Sequence, residues 1–204
     1  MIWFTSDMHL GHEKALDFTC RLWNQIDEMN EGIIANINEK VKENDELYIL
    51  GDYSFKITAL EAAALRKKIY CKKVYLVPGN HDKDWNNKLV QGTFIVEQPI
   101  TVLKIDGRKY VLSHFPMADW QSMSHESIHL HGHIHSEGSL YNEMNRIQGL
   151  YRYDVGVDAN GYSPVSMEEI LAWFDGVECR GRVKWKDWVD ETGDKRVRRK
   201  LAGL

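Results

Sequence analysis

Five polar clusters along the chain each follow a short apolar run. They are Asp7-Met8-His9, Gly51-Asp52, Gly79-Asn80-His81-Asp82, His114 and Gly132-His133-Ile134-His135. Loops that follow the strands of an α/β sheet converge on one edge of a rigid layer, and ligand sites assemble there. We therefore expect these clusters, which lie far apart in the sequence, to meet at a single site.

The chemistry of the clusters indicates a metal site. Seven side chains are candidate ligands: Asp7, His9, Asp52, Asn80, His114, His133 and His135. Carboxylate, imidazole and carboxamide groups suit Mn, Fe, Co, Ni or Zn. Seven ligands are too many for one catalytic ion with an open position, but they suit two ions that share a carboxylate. Two such ions about 3.5–4 Å apart can hold a hydroxide between them and clamp a phosphoryl group.

Apolar patterns predict the elements that must position these residues. Short runs rich in β-branched and aromatic residues predict strands at 2–5, 46–50, 73–77, 109–112, 127–130 and 153–157. Helical spacing predicts helices over 27–43 and 58–69, and the capping boxes Thr58–Glu61 and Ser166–Glu169 each open a helix. Asp106-Gly107 predicts a hairpin turn between strands at 100–105 and 108–113. Together these patterns favour a mixed sheet system flanked by helices.

Composition limits the possible classes of protein. The 204 residues carry a net charge of −4 and show no linker, so we expect one domain over 1–204 and no global basic field for duplex binding. No run is apolar enough for a membrane span, and we identify no signal peptide. The three cysteines form no CxxC pair. A reduced, cytoplasmic setting is therefore predicted.

The end of the chain differs in charge from the rest. Residues 177–204 hold nine basic and five acidic residues, which predicts a basic C-terminal extension. A solvated tail is one interpretation, and a patch for nucleic acid or another acidic partner is the other.

The ordered series D-x-H, G-D, G-N-H-D, H and G-H-x-H resembles the calcineurin-like metallophosphoesterase superfamily. It extends over residues 7–135, and the segments 4–12 and 154–166 resemble the small bacterial and phage phosphoesterases of that superfamily. The resemblance implies an α+β fold with four α/β/β/α layers, in which helices flank two packed mixed β-sheets on both outer faces.

The resemblance also implies a role for each cluster residue. Asp7, His9 and His135 would bind one metal, Asn80, His114 and His133 a second, and Asp52 would bridge them. His81 would lie beside the metals without binding them and would protonate the leaving oxygen or stabilise the transition state, and Asp82 would orient His81. The two ions would be divalent, with Mn²⁺ favoured and Fe, Zn, Ni or Co as alternatives. A metal-bridging hydroxide would attack phosphorus in line.

Further residues have open interpretations. His12 and Arg21 are candidates for contact with substrate phosphate, but His12 could be an ordinary loop residue and Arg21 an ordinary helix-surface residue. His129 and His131 alternate with His133 and His135, and we expect Gly132 to break the strand and leave the first two in packing roles.

The motifs favour a phosphodiesterase that acts on a small molecule or a short nucleotide. Gly51-Asp52-Tyr53-Ser54-Phe55 departs from the G-D-x-V-D-R-G motif of protein phosphatases, which weakens that alternative. Phosphomonoesterase or nuclease activity at the same site stays open, as does a non-catalytic binding module. The sequence leaves the oligomeric state open.

Overall fold

The computed structural model describes residues 1–179. Most of the predicted basic extension therefore lies outside the described residues. In chain order the elements are β1 (Ile2–Thr5), α1 (Ala15–Phe18), α2 (Ile26–Lys40), β2 (Glu46–Ile49), α3 (Ala59–Arg66), β3 (Lys73–Leu76), β4 (Ile95–Val96), β5 (Ile100–Ile105), β6 (Arg108–Ser113), a 3₁₀ turn (Met123–His125), β7 (Ile128–His131), α4 (Leu140–Ile147), β8 (Arg152–Asp154), β9 (Val165–Ser166) and α5 (Met167–Trp173).

The first sheet has five strands in the order β4-β3-β2-β1-β9. The first four are parallel, and β9 pairs antiparallel with β1. Thr5 is in register with Ile49, and Ile49 is in register with Leu76. The carboxyl ends of β1, β2 and β3 are therefore level, so the loops after them meet at one edge of the sheet.

The second sheet has four strands in the order β5-β6-β7-β8. The predicted hairpin is confirmed, because Ile105 pairs with Arg108 across Asp106-Gly107. Strands β6, β7 and β8 run parallel. This arrangement again brings loops that follow strands, those after β6 and β7, to a common edge.

The two sheets pack face to face, as the four-layer prediction requires. One apolar cluster lies between them and includes Phe4, Leu50, Leu112 and Leu130. A second cluster joins the outer face of the first sheet to α2 and α3. Both predicted capping boxes form, at Thr58–Glu61 and at Ser166–Glu169. The fold is thus two mixed sheets with helices on the outside.

Two parts of the chain differ from their predicted form. The strand expected over 153–157 ends at Asp154, and the following segment crosses to the first sheet, where Val157 N donates to Ser6 O at 3.1 Å. Helix α4 has no predicted counterpart. Among the described residues, no helix is both long enough and apolar enough to span a bilayer.

Candidate metal centre

All seven predicted ligands lie in loops at the carboxyl ends of strands β1, β2, β3, β6 and β7. Five of them have left-handed backbone φ angles between 47° and 74°: Asp7, His9, Asp52, His133 and His135. Such angles are uncommon for residues with a side chain and cost about 1–3 kcal/mol each, and they cluster at functional sites. The fold holds this backbone in place so that the side chains point at one another.

Asp7, His9 and His135, the first predicted group of ligands, lie together and could hold a metal ion. Nε2 of His9 and Nε2 of His135 are 3.2 Å apart. Nε2 of His135 is also 3.8 Å from Oδ1 of Asp7. Burial lowers the pKa of His9 to about 3, so its ring is neutral at neutral pH and offers a lone pair.

The Asp7 carboxylate has one oxygen in use and one available. Oδ2 accepts hydrogen bonds from the Ser6 hydroxyl at 2.6 Å and from the backbone N–H of His133 at 2.9 Å. Oδ1 is buried and has no hydrogen-bond partner among the described residues. Burial raises the pKa of Asp7 to about 6. Because a buried carboxylate oxygen without a partner is costly, Oδ1 fits a cation.

Asn80, His114 and His133, the second predicted group, also lie together. Nδ1 of His114 donates to Leu50 O at 2.9 Å, which leaves Nε2 as an acceptor. That Nε2 lies 2.9 Å from Oδ1 of Asn80 and 3.3 Å from Nδ1 of His133. In the neutral rings these three atoms can each offer a lone pair, so the group is suited to hold one metal ion.

Asp52 lies between the two groups. Its Oδ2 is 3.5 Å from Nε2 of His9 and 3.5 Å from Nε2 of His114. Its other oxygen accepts the backbone N–H of His81 at 2.9 Å, which fixes the carboxylate plane. One oxygen of Asp52 thus contacts ligands of both groups.

Gly132 allows the two sheets to approach each other at the site. A Cβ built there would lie 2.7 Å from the Cβ of Ser6 and closer still to the Ser6 hydroxyl and the Asp7 carboxylate. A residue with a side chain would therefore displace Asp7. Strand β7 ends at His131, directly before this glycine, as the sequence predicts.

His129 and His131 lie outside the ligand cluster, on the covered face of the second sheet. Both are fully buried. Nδ1 of His129 lies 2.9 Å from Val111 O, and its Nε2 accepts the Met117 N–H at 3.0 Å. Nδ1 of His131 lies 2.9 Å from Gly132 O. Their ring nitrogens are thus used to hold loops, which agrees with the predicted packing role.

Asp158 is a residue of the site that sequence reasoning missed. Its Oδ2 lies 2.8 Å from Nδ1 of His135, so Nε2 of that ring faces Asp7 and His9. Burial favours a higher pKa for Asp158, but hydrogen bonds from His135 and Arg21 outweigh it and lower the pKa. The carboxylate fixes the ring orientation of a ligand histidine, as partners outside a metal site commonly do. The sequence offers a weak signal for Asp158, which is an acidic residue two positions after Gly156.

Arg21 requires a correction, because it does not face the substrate side of the site. Its side chain is fully buried. Nε and Nη2 bind both oxygens of Asp158 at 2.9 Å, and the guanidinium also donates to the carbonyls of Asp7 and Met8 at 2.7 Å. These bonds use its donors, so the predicted contact with substrate phosphate does not fit this geometry.

Asp82 also requires a correction. Its Oδ2 accepts N–H groups of Asp52 and Gly79 at 2.8 Å, and Oδ1 accepts that of Tyr53 at 3.1 Å. No hydrogen bond joins it to the His81 ring within the described part of the chain. Asp82 therefore positions the loop that carries Asp52 rather than His81.

His81 and His12 lie beside the ligand cluster. The His81 ring packs against Phe55, with centroids 4.2 Å apart, and lies 5.7 Å from the ring of His9. The His12 ring lies 4.8 Å from Phe55 and 5.7 Å from His9. Both imidazoles are partly exposed, so each could reach a group bound at the cluster.

Comparison with known proteins identifies the class. The profile of the calcineurin-like phosphoesterases matches residues 1–157, and the chain belongs to that family. It is thus a metallophosphoesterase, a phosphoric ester hydrolase. The residues of the two predicted ligand groups all lie within the matched segment.

Similar proteins occur in an archaeon, a phage and a bacterium. An uncharacterized protein of Methanocaldococcus jannaschii, MJ1445, is 25% identical, with 83% of this chain and 89% of that protein covered. The gene 66 protein of Mycobacterium phage L5 is 29% identical, with 82% and 91% covered. The crystal structure of AQ665 from Aquifex aeolicus, a protein of unknown function, has a TM-score of 0.66 at 24% identity, with 84% and 98% covered. The last likeness concerns the fold alone.

Proposed function

We propose that this protein is a phosphodiesterase that uses two divalent metal ions, Mn²⁺ by preference. The observation that carries the proposal is the position of Asp52 Oδ2, which is 3.5 Å from Nε2 of both His9 and His114. A carboxylate oxygen that is equally distant from two ligand groups is suited to bridging. The mixed nitrogen and oxygen ligands agree with Mn²⁺ and also admit Fe, Zn, Ni or Co.

The ligand residues define where each ion would bind. Asp7, His9 and His135 would hold one ion, Asn80, His114 and His133 the other, and Asp52 would contact both. The bound ions would supply positive charge to a phosphoryl group and lower the pKa of water.

The chain's own side chains would perform the remaining steps. His81 would donate a proton to the leaving oxygen, a role that its partly exposed ring beside the cluster supports. Phe55 packs against the His81 ring. The hydrogen bond from the backbone N–H of His81 to Asp52 sets the distance of His81 from the predicted ligands. His12, whose ring also contacts Phe55, would contact a substrate oxygen.

A parallel assay tests the proposal. Bis-4-nitrophenyl phosphate, 4-nitrophenyl phosphate and single-stranded DNA would be offered to the protein with Mn²⁺ and with a chelator. We expect Mn²⁺-dependent hydrolysis with the highest kcat/KM for the diester. Asp52→Asn should abolish turnover, whereas Glu39→Gln, on the exposed surface of α2, should leave it unchanged. A preference for the monoester would contradict the phosphodiesterase assignment, and turnover in the chelator would contradict the metal requirement. A preference for DNA would favour the nuclease alternative over a small phosphodiester substrate.

A further inference from the structure

An open cavity of about 780 Å³ lies between α2 and α3 and begins at His12. Ile26, Ile57, Ala64 and Leu65 form its apolar lining. Pockets that hold small organic ligands typically measure about 300–1,000 Å³ and are mostly apolar. The cavity is thus large enough for a ring system, and its lining favours one.

A row of aromatic rings connects this cavity to the metal-ligand cluster. The His81 and Phe55 ring centroids are 4.2 Å apart, and those of Phe55 and His12 are 4.8 Å apart. His12 also lines the cavity. A substituent on the oxygen that His81 protonates could therefore extend along these rings into the cavity.

The charged side chains that line the cavity balance one another, which favours an uncharged substituent on the ester. Lys14 and Lys56 line the same end as His12, and Lys56 Nζ lies 4.9 Å from the Phe55 ring centroid. Lys68 lines the cavity as well, and so do the three acidic residues Glu13, Asp27 and Glu61, so the formal charges of the lining sum to zero. A charged substituent therefore gains no net attraction there and would lose hydration against the apolar side chains.

We propose that this cavity binds the leaving alcohol of the substrate, and that this alcohol carries a flat, apolar ring system. The inference depends on the proposed function and names the substrate class of the same site. The ring would lie against Ile57 and Leu65, and the ester oxygen would lie beside His81.

The test uses a substitution whose larger side chain fills the cavity from one wall. In Ala64→Trp the indole would occupy the space of the ring, while Leu60→Trp, one turn earlier in the same helix at a position that does not line this cavity, is the matched control. The dissociation constant of 2-naphthol and the KM for bis-4-nitrophenyl phosphate would be measured on Mn²⁺-loaded protein. We expect both to rise by about tenfold or more in Ala64→Trp, with inhibition by inorganic phosphate unchanged. Leu60→Trp should match the natural protein.

The outcomes separate this inference from the proposed function. If 2-naphthol does not bind the natural protein, or binds Ala64→Trp equally well, the cavity proposal is wrong. If 2-naphthol binds as expected but no phosphoester is hydrolysed, it is the proposed function that fails. Ile26→Trp fills the cavity from the opposite wall and decides the question if Ala64→Trp does not fold.

Discussion

Oδ2 of Asp158 lies 2.8 Å from Nδ1 of His135, and this contact determines which nitrogen of His135 faces the ligand cluster. The same carboxylate binds Arg21, whose guanidinium also holds the carbonyls of Asp7 and Met8. Residues 7–9, 135 and 158 are thereby joined by buried polar bonds. The orientation of the ligands therefore depends on residues that do not themselves belong to either ligand group.

Asp158→Asn should weaken metal binding. The amide oxygen can still accept from His135, but the charge that favours this ring orientation is lost. Replacing such a partner typically lowers metal affinity about 10–100-fold. Titration of metal-free protein with Mn²⁺ would measure the change, with Glu39→Gln as the exposed control. An unchanged affinity would contradict the positioning role.

Arg21→Ala should destabilise the protein. The change leaves the Asp158 carboxylate buried without its cationic partner, and breaking such a pair costs about 3–5 kcal/mol. Urea unfolding of the metal-free protein would measure the loss in the free energy of unfolding. Arg21→Met combined with Asp158→Leu should recover part of the lost stability, because no buried charge is then unpaired. A raised KM with unchanged stability would instead restore the predicted substrate contact.

Asp82→Asn should lower the free energy of unfolding by about 1–3 kcal/mol, because an amide has only one acceptor oxygen for the three N–H groups that Asp82 now binds. The exposed Asp84, whose carboxylate accepts the Asn86 N–H, provides the control Asp84→Asn. Thermal or urea unfolding in chelator would measure both variants. An effect on kcat alone would support the original interpretation, in which Asp82 orients His81.

His81→Ala should reduce kcat about 10²–10⁴-fold, the usual contribution of a general acid. Mn²⁺ affinity should be unchanged, because His81 lies outside both ligand groups. Steady-state kinetics on bis-4-nitrophenyl phosphate would show the loss, and the exposed His125→Ala would serve as control. Full activity without His81 would remove it from the proposed mechanism.

The sequence predicted where the candidate ligands lie better than it predicted which residues hold them in place. Asp7, Asp52 and Asn80 could be placed together because each follows a strand of a parallel sheet, and the aligned ends of β1, β2 and β3 confirm the reason. The role of Asp82 could not be read from its neighbour His81, because its partners Asp52 and Tyr53 lie about thirty residues earlier.

Helix α4 shows why another part of the fold escaped prediction. Its apolar residues Leu140, Met144 and Ile147 are exposed, while Asn142 and Asn145 are buried. Asn142 exchanges hydrogen bonds with both backbone groups of Asp154, so polar bonds rather than an apolar face attach the helix. A method that looks for a buried apolar stripe reverses the faces of such a helix.

The central claim is that two ions bind on either side of Asp52. The most direct measurement is an anomalous-scattering map from a crystal of the metal-loaded protein, recorded at the manganese edge. We predict two peaks, one bound by Asp7, His9 and His135 and the other by Asn80, His114 and His133. A single peak, or none, would contradict the two-ion centre and the chemistry built on it.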